Sequence, residues 1–90
     1  MVEESMRIDK FLWYVRLAHT RTKARDLAQH GRLRLDGRIV DRPAHPVRVG
    51  SVLTMTKGGA VRVIRVEALP LRRGPATESR ACISDIASGG

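Results

Sequence analysis

Ten basic side chains lie within residues 7–42, in numbers and spacing that could bind the phosphates of a nucleic acid. Four aspartates share this stretch, so its net charge is +6, out of +8 for the 90-residue chain. Arginine predominates, and its planar guanidinium pairs with phosphate through two hydrogen bonds and stacks on bases. We therefore expect a polyanion to be the partner. The ten are Arg7, Lys10, Arg16, Arg21, Lys23, Arg25, Arg32, Arg34, Arg38 and Arg42.

Two simpler explanations of this charge need weighing. A GC-rich genome enriches arginine codons regardless of function, which would explain why arginine outnumbers lysine but not why the net charge is +8. A charge run is also often just a solvated face. Here the same short elements must turn their apolar sides toward one small core, so we expect their cations to converge on one side.

The sequence contains few residues in a pattern that would favour catalysis or metal binding. His19, His30 and His45 are scattered, and no pair of them has zinc-ligand spacing. Cys82 is the only cysteine, and a half-buried apolar role fits it better than a nucleophilic one. Neither a dinucleotide-binding glycine motif nor a P-loop occurs. We expect a protein that is not an enzyme and has no catalytic residue, metal or cofactor.

The elements that must position the basic residues are two helices and a hairpin. Apolar residues at helical spacing predict a first helix over 7–17. Thr20 is a suitable N-cap for a second helix over 21–30, and Gly31 suits the position after its end. Alternating polar and apolar residues follow, and Asp36-Gly37 is a strong signal for a two-residue hairpin turn.

The rest of the chain predicts more strands and a final helix. Strands are expected over 51–56 and over 60–69, joined by a turn at Lys57-Gly58-Gly59. Pro75 could begin a short terminal helix over 76–86. The whole order of elements predicts an α+β fold.

Length and composition predict one domain with short extensions. Ninety residues hold a single small core. We expect a flexible lead over 1–6, the domain itself over 7–69 and a basic tail over 70–90. One cysteine allows no internal disulfide, and the sequence has no apolar run of membrane-spanning length. These features predict a cytoplasmic protein that does not bind membranes, and we expect a monomer.

The three aromatic residues and one aspartate of the first helix raise separate questions. Phe11 fits the core face of the helix. Trp13 and Tyr14 could stack on bases, although packing in the core is the commoner fate of an aromatic residue in a small domain. Asp9 is expected to orient Arg16 or another neighbouring arginine, since the two lie about 20° apart around the helix.

Several motifs in this order resemble the S-four RNA-binding domain, over about residues 6–56. The resemblance implies an αL RNA-binding motif, in which two N-terminal helices pack on a small, mostly antiparallel sheet with a short C-terminal tail. Its RNA-binding surface would use the start of the second helix and the following hairpin. The motifs are Arg7-Ile8-Asp9-Lys10-Phe11-Leu12-Trp13, Thr20-Arg21-Thr22-Lys23-Ala24, Gly31 and Leu35-Asp36-Gly37.

Carried over by position, this resemblance implies two sets of RNA-binding residues. Structured RNA is recognised mainly through its shape, phosphates and 2′-hydroxyls, which suits a rigid surface rich in arginine. The hairpin would contribute Arg32, Arg34 and Arg38. The helices would contribute Arg7, Lys10, Arg16, Thr20, Arg21, Lys23 and Arg25.

Residues 69–76, with the sequence LPLRRGPA, are similar to the segment that follows this domain in the bacterial heat-shock protein fifteen family. That family implies binding to ribosomal RNA of the large subunit, together with peptidyl-tRNA, in ribosome rescue, recycling or quality control. Compared with that family's pattern, we expect this chain to lack the longer basic C-terminal extension.

Two other functions remain open from the sequence. Helix, turn, helix and hairpin in this order are compatible with a winged helix-turn-helix regulator that binds DNA, although that fold normally has a third helix before the wing. The S-four module also accompanies pseudouridine synthases, so the chain could be a detached RNA-binding subunit of an RNA-modifying enzyme. No catalytic domain of ordinary size fits in 90 residues.

Overall fold

A computed structural model describes residues 4–89 and shows an α+β fold, as the sequence predicts. Residues 1–3 of the expected lead, and Gly90, lie outside the described residues. The elements in chain order are β1 (Met6–Arg7), α1 (Ile8–Tyr14), α2 (Arg21–Gln29), β2 (Leu33–Leu35), β3 (Arg38–Ile39), β4 (Pro46–Val47), β5 (Val52–Lys57), β6 (Ala60–Val66), α3 (Ala76–Ala81) and β7 (Ile83–Gly89).

One face of a five-stranded antiparallel sheet packs against the helices. The strand order is β3-β2-β5-β6-β7, and β1 and β4 form a separate antiparallel pair. Side chains on that face of the sheet join those of α1 and α2 in one core. Burial of this apolar surface is the main stabilising contribution to the fold. The largest fully buried apolar side chains are Phe11, Ile8, Leu12, Leu33, Leu53, Ile64, Val40, Val47 and Val66.

The first helix is shorter than the sequence predicts. It ends at Tyr14 rather than at residue 17, because Arg16 adopts a left-handed backbone with φ of 65°. The backbone N–H groups of Leu17 and Ala18 then turn back to donate to the carbonyl of Leu12, at 2.9 and 3.1 Å. The apolar periodicity continues past this point, so it could not reveal the early end.

The second helix is confirmed with both of its end signals. The Thr20 hydroxyl accepts a hydrogen bond from the backbone N–H of Lys23 at 3.0 Å. The helix ends at Gln29, one residue earlier than expected, and Gly31 follows with φ of 68°. An L residue other than glycine is strained in that conformation, which explains glycine at this position.

The predicted Asp36-Gly37 hairpin turn is present. Both residues have positive φ, 51° and 84°, as a type I′ turn requires. The Asp36 carboxylate also accepts from the backbone N–H of Val52 at 2.9 Å, which fixes the turn to the start of β5. The strands expected over 51–56 and 60–69 are confirmed as β5 and β6, although β6 ends earlier, at Val66.

Both ends of the chain contain a strand that the sequence did not predict. Met6, placed in the flexible lead, pairs with Val47. The helix expected over 76–86 ends at Ala81, and Ile83–Gly89 forms an edge strand that pairs with β6. Without this strand, the backbone N–H and C=O groups along one edge of β6 would lack their partners. The predicted terminal helix is therefore confirmed over 76–81, and the expectation that it continues to residue 86 was wrong.

Candidate nucleic-acid interface

Asp9 is completely buried, and basic residues from two elements contact it. Arg7 donates two hydrogen bonds to its carboxylate, each 3.0 Å long, and Lys10 donates its backbone N–H at 2.8 Å. Nη2 of Arg21 lies 3.9 Å from Oδ2 of the same carboxylate. The Arg7 and Arg21 side chains are about half exposed, at 51% and 45%. A buried anion thus holds two guanidinium groups from different elements at one surface.

The electrostatics of this group favour permanent positive charge. The hydrogen bond from Arg7 to Asp9, and the negative charge of that carboxylate, raise the pKa of Arg7 above its usual value. Asp9 has no exposed surface of its own, so the outward side of the group is cationic. We call Arg7, Asp9 and Arg21 the Asp9 cluster.

The Trp13 ring lies beside the Asp9 cluster. Its ring is half-buried against the core, and the Arg21 guanidinium carbon lies 5.6 Å from the ring centre. Lys10, on the preceding turn of α1, places its ammonium group 5.9 Å from the centre of the Tyr14 ring. Both distances are typical of cation–π contact. Phe11 is fully buried in the core, as predicted.

Arg16 does not pair with Asp9, so that expectation was wrong for this arginine. Its Nε donates to the backbone carbonyl of Gly74 at 3.0 Å, in the segment before α3. The left-handed backbone at Arg16 takes its side chain out of the helical pattern on which the expectation rested. Asp9 instead binds Arg7 and Arg21, which fits the broader expectation of a neighbouring arginine.

Lys23 and Arg32 line a separate groove of about 450 Å³. The apolar part of its lining comes from Leu17, Ala18 and Leu27. Arg32 also lies 3.7 Å from the Asp26 carboxylate, which pairs with His30 at 2.9 Å one helical turn away.

The remaining predicted residues do not all share one surface. Arg25 is exposed on α2, one helical turn after Arg21. Arg34 lies between two buried leucines of β2, so its side chain points to the sheet face away from the helices. Arg38 is exposed and pairs directly with Leu35, on the opposite face from Arg34. The expected convergence of the cations therefore fails at Arg34, because successive strand residues alternate in direction.

Sequence reasoning did not place the tail beside the first helix. The Arg73 guanidinium carbon lies 5.3 Å from the centre of the Trp13 ring. The sequence shows two adjacent arginines there, but nothing local indicates which of them contacts α1.

Within residues 4–89, no helix is long and apolar enough to cross a membrane.

A family model for the S4 domain matches residues 6–53. The chain belongs to the S4 domain family. The match covers α1, α2, the hairpin of β2 and β3, and the start of β5. These elements include the Asp9 cluster and every predicted RNA-binding residue. This is the same S-four family that the motifs resemble.

The similarity of this chain to known proteins extends beyond the S4 domain. The chain is 30% identical over 82 residues to Heat shock protein 15 of Escherichia coli strain K12, a match that spans 91% of this chain and 61% of that protein. It is 36% identical over 63 residues to small ribosomal subunit protein uS4 of Phytoplasma mali, spanning 70% of this chain and 32% of that protein. The chain thus spans about three fifths of the first of these relatives and a third of the second.

A solved structure resembles almost the whole chain. Trimeric Heat Shock Protein 15 of Vibrio cholerae superposes with a TM-score of 0.84 at 28% identity, covering 93% of this chain and 84% of that one. This chain therefore shares the fold of Heat Shock Protein 15, including the part after residue 53. The trimer is a property of the Vibrio protein.

Proposed function

We propose that this protein binds structured ribosomal RNA without catalysing a reaction. The observation that carries this proposal is the Asp9 cluster, in which a fully buried carboxylate holds Arg7 and Arg21 with their guanidinium groups at the surface. Phosphate contacts from such a surface need little further ordering of side chains on binding, and preorganisation of this kind favours affinity. The S4 family membership and the similarity to Heat shock protein 15 and uS4 support RNA as the polyanion.

The mechanism is electrostatic docking followed by recognition of shape. A net charge of +8 draws the protein toward RNA, and the rigid arginines then bind phosphates across a structured element. Residues on the first helix and the second helix would make most contacts, and Arg32 and Arg38 would extend the surface at its edge. The proposed contacts are Arg7, Lys10, Arg16, Thr20, Arg21, Lys23, Arg25, Arg32 and Arg38. Arg34 is left out because its side chain points to the sheet face away from the helices.

Within this role, we place the protein on the large ribosomal subunit, together with peptidyl-tRNA, in ribosome rescue, recycling or quality control. The resemblance of residues 69–76 to the heat-shock protein fifteen family implies the large subunit. The match to Heat shock protein 15 also spans more of this chain than the match to the small-subunit protein uS4, 91% against 70%. A cytoplasmic monomer is the simplest form for this role. Because the Vibrio relative is trimeric, light scattering on the purified protein is the measurement that decides the oligomeric state.

The proposal is tested by cosedimentation with purified bacterial large subunits, small subunits and duplex DNA at matched nucleotide concentration. We expect tight, saturable binding to large subunits, and weaker binding to the other two that disappears first as salt rises. Tighter binding to duplex DNA would contradict RNA recognition and favour a DNA-binding regulator. Tighter binding to small subunits would retain the RNA function and contradict the choice of subunit.

A further inference from the structure

Arg73 lies twenty residues beyond the matched S4 domain, yet it lies beside the proposed interface. The guanidinium carbons of Arg73 and Arg21 lie 5.3 and 5.6 Å from the centre of the same Trp13 ring. Arg21 also approaches the buried Asp9 carboxylate, so the ring connects the tail to the Asp9 cluster. Two cations from distant parts of the chain are thus held by one aromatic side chain.

The segment that carries Arg73 is fixed to α1 by polar contacts on its C-terminal side. Arg16 donates to the carbonyl of Gly74 at 3.0 Å. The buried Ser79 hydroxyl, on α3, donates to the carbonyl of Tyr14 at 3.3 Å. These bonds attach residues 74–79 to the end of the first helix and leave Arg73 next to Trp13.

The neighbouring arginine has a different environment. Arg72 donates to the Glu78 carboxylate at 2.9 Å, which raises the pKa of Arg72 and keeps its charge paired within the tail. Its side chain is 71% exposed. Arg72 and Arg73 therefore carry the same charge on adjacent residues. Of these two, only Arg73 lies within cation–π distance of an aromatic ring among the described residues.

We propose that Arg73 is a further RNA phosphate-binding residue, and that Trp13 positions it beside Arg21 so that residues 70–75 form part of the interface. This inference rests on the proposed RNA-binding function. It makes Trp13 a positioning residue, whose ring holds guanidinium groups in place, and it extends the interface beyond the S4 domain.

The first experiment compares Arg73→Ala with Arg72→Ala, which removes the same charge one residue away. Binding to purified large ribosomal subunits is measured between 50 and 200 mM salt, with Arg21→Ala as a positive control. One lost phosphate contact lowers the salt slope by about 0.7–0.9, so wild type should lose about threefold more affinity over this range than Arg73→Ala. We expect the same change for Arg21→Ala and little change for Arg72→Ala.

The outcomes separate the inference from the function on which it rests. A reduced slope for Arg21→Ala with an unchanged slope for Arg73→Ala would overturn the inference and leave the function intact. Unchanged slopes for both would count against the function itself. Equal reductions for Arg72→Ala and Arg73→Ala would show that only the charge of the tail matters, which would overturn the positioning by Trp13.

The second experiment tests Trp13 directly. Trp13→Phe keeps an aromatic ring, whereas Trp13→Leu keeps an apolar side chain but cannot make a cation–π contact. We expect Trp13→Phe to restore most of the affinity and salt slope that Trp13→Leu loses, with Arg73→Ala having little further effect in the Trp13→Leu background. Equal affinity losses for Trp13→Phe and Trp13→Leu, or additive losses in the double variant, would contradict a positioning role.

Trp13 also provides a readout that does not depend on RNA. It is the only tryptophan in the chain, so its fluorescence reports on this site alone. Removing Arg73 uncovers part of the ring, and we expect the emission maximum to move to longer wavelength in Arg73→Ala but not in Arg72→Ala. An unchanged emission maximum in Arg73→Ala would show that Arg73 does not contact the ring in solution.

Discussion

The carboxylate of Asp9 and the guanidinium of Arg7 are joined by two hydrogen bonds of 3.0 Å, and only the arginine reaches solvent. Taking an anion out of water is costly unless it is paired and hydrogen-bonded, and Asp9 satisfies both conditions. The arrangement hides the negative charge and presents the positive one. The same carboxylate lies near Arg21, so one buried residue orders cations from β1 and α2.

Asp9→Asn should lower both stability and RNA affinity. The amide keeps the shape of the carboxylate but loses its charge, and hydrogen bonds that involve charged groups typically contribute about 1.5–3 kcal/mol. We expect a loss of this size in the free energy of unfolding, measured by urea denaturation. Affinity for large subunits should fall as well, because Arg7 and Arg21 lose the group that orders them.

Asp26→Asn is the matched control for that change. Asp26 is also paired with cations, but its side chain is 52% exposed, and exposed ion pairs contribute about 0–1 kcal/mol. We expect the free energy of unfolding to change within that range. Equal destabilisation by the Asp9 and Asp26 variants would contradict the special role of the buried carboxylate.

Arg16→Gly should be more stable than Arg16→Ala, the reverse of the usual order for these two residues in helices. Arg16 has φ of 65°, where an L residue pays about 1–2 kcal/mol that glycine does not. Both variants lose the hydrogen bond to Gly74, so they differ in the backbone strain of alanine and in the larger chain entropy that glycine loses on folding. The strain is the larger of the two contributions, so the glycine variant should be the more stable. Thermal and urea unfolding of the two variants measures the difference.

The same pair of variants should loosen the attachment of α3. Without the bond from Arg16 to Gly74, we expect faster hydrogen exchange at the backbone amides of Ser79 and Cys82, which both donate bonds in this region. The amide of Ala24 in α2 should keep its protection. Uniformly faster exchange at all three would instead indicate a global loss of stability.

The features that could be predicted from the sequence are the ends of the second helix and the hairpin turn, because local interactions determine them. Thr20 and Gly31 mark the ends of α2, and Asp36-Gly37 marks the hairpin turn, because each acts through backbone bonds within a few residues. These elements position the residues that the sequence predicts on the second helix and the hairpin, and the RNA contacts of those residues stay predictions.

The parts that could not be predicted depend on contacts between distant residues. Arg16 and Gly74 are 58 positions apart, and neither residue type signals the hydrogen bond between them. The strand Ile83–Gly89 forms because β6 offers it a free edge, whereas its own sequence has weak periodicity of either kind. The direction of Arg34 could have been foreseen, since the leucines on either side of it already indicated that it points away from the core.

Asp85→Asn should reduce stability at neutral pH and have a smaller effect in acid. Arg62 donates to the Asp85 carboxylate at 2.9 Å across β6 and β7, and this hydrogen bond lowers the pKa of Asp85 below its usual 3.8. The unfolded chain then binds the proton more tightly than the folded one. The contribution of Asp85 to stability is therefore present above pH 3.8 and is lost as the pH falls through the lower folded pKa.

Denaturation of wild type and Asp85→Asn across pH 2–7 checks this prediction. The two stability curves should converge toward the acid end and separate toward neutral pH. Because both side chains are about half exposed, the separation should be small and should shrink further in 1 M salt. A constant separation at every pH would show that the ion pair is not its cause.

We expect the surface around the Asp9 cluster to bind ribosomal RNA of the large subunit. The most direct test is the salt dependence of binding to purified large subunits for Arg21→Ala and for Arg65→Ala, an equal charge loss on an exposed residue of β6. We predict that Arg21→Ala lowers the slope of log affinity against log salt by about 0.7–0.9, and that Arg65→Ala leaves it unchanged. Equal slopes for the two variants would contradict the assigned surface.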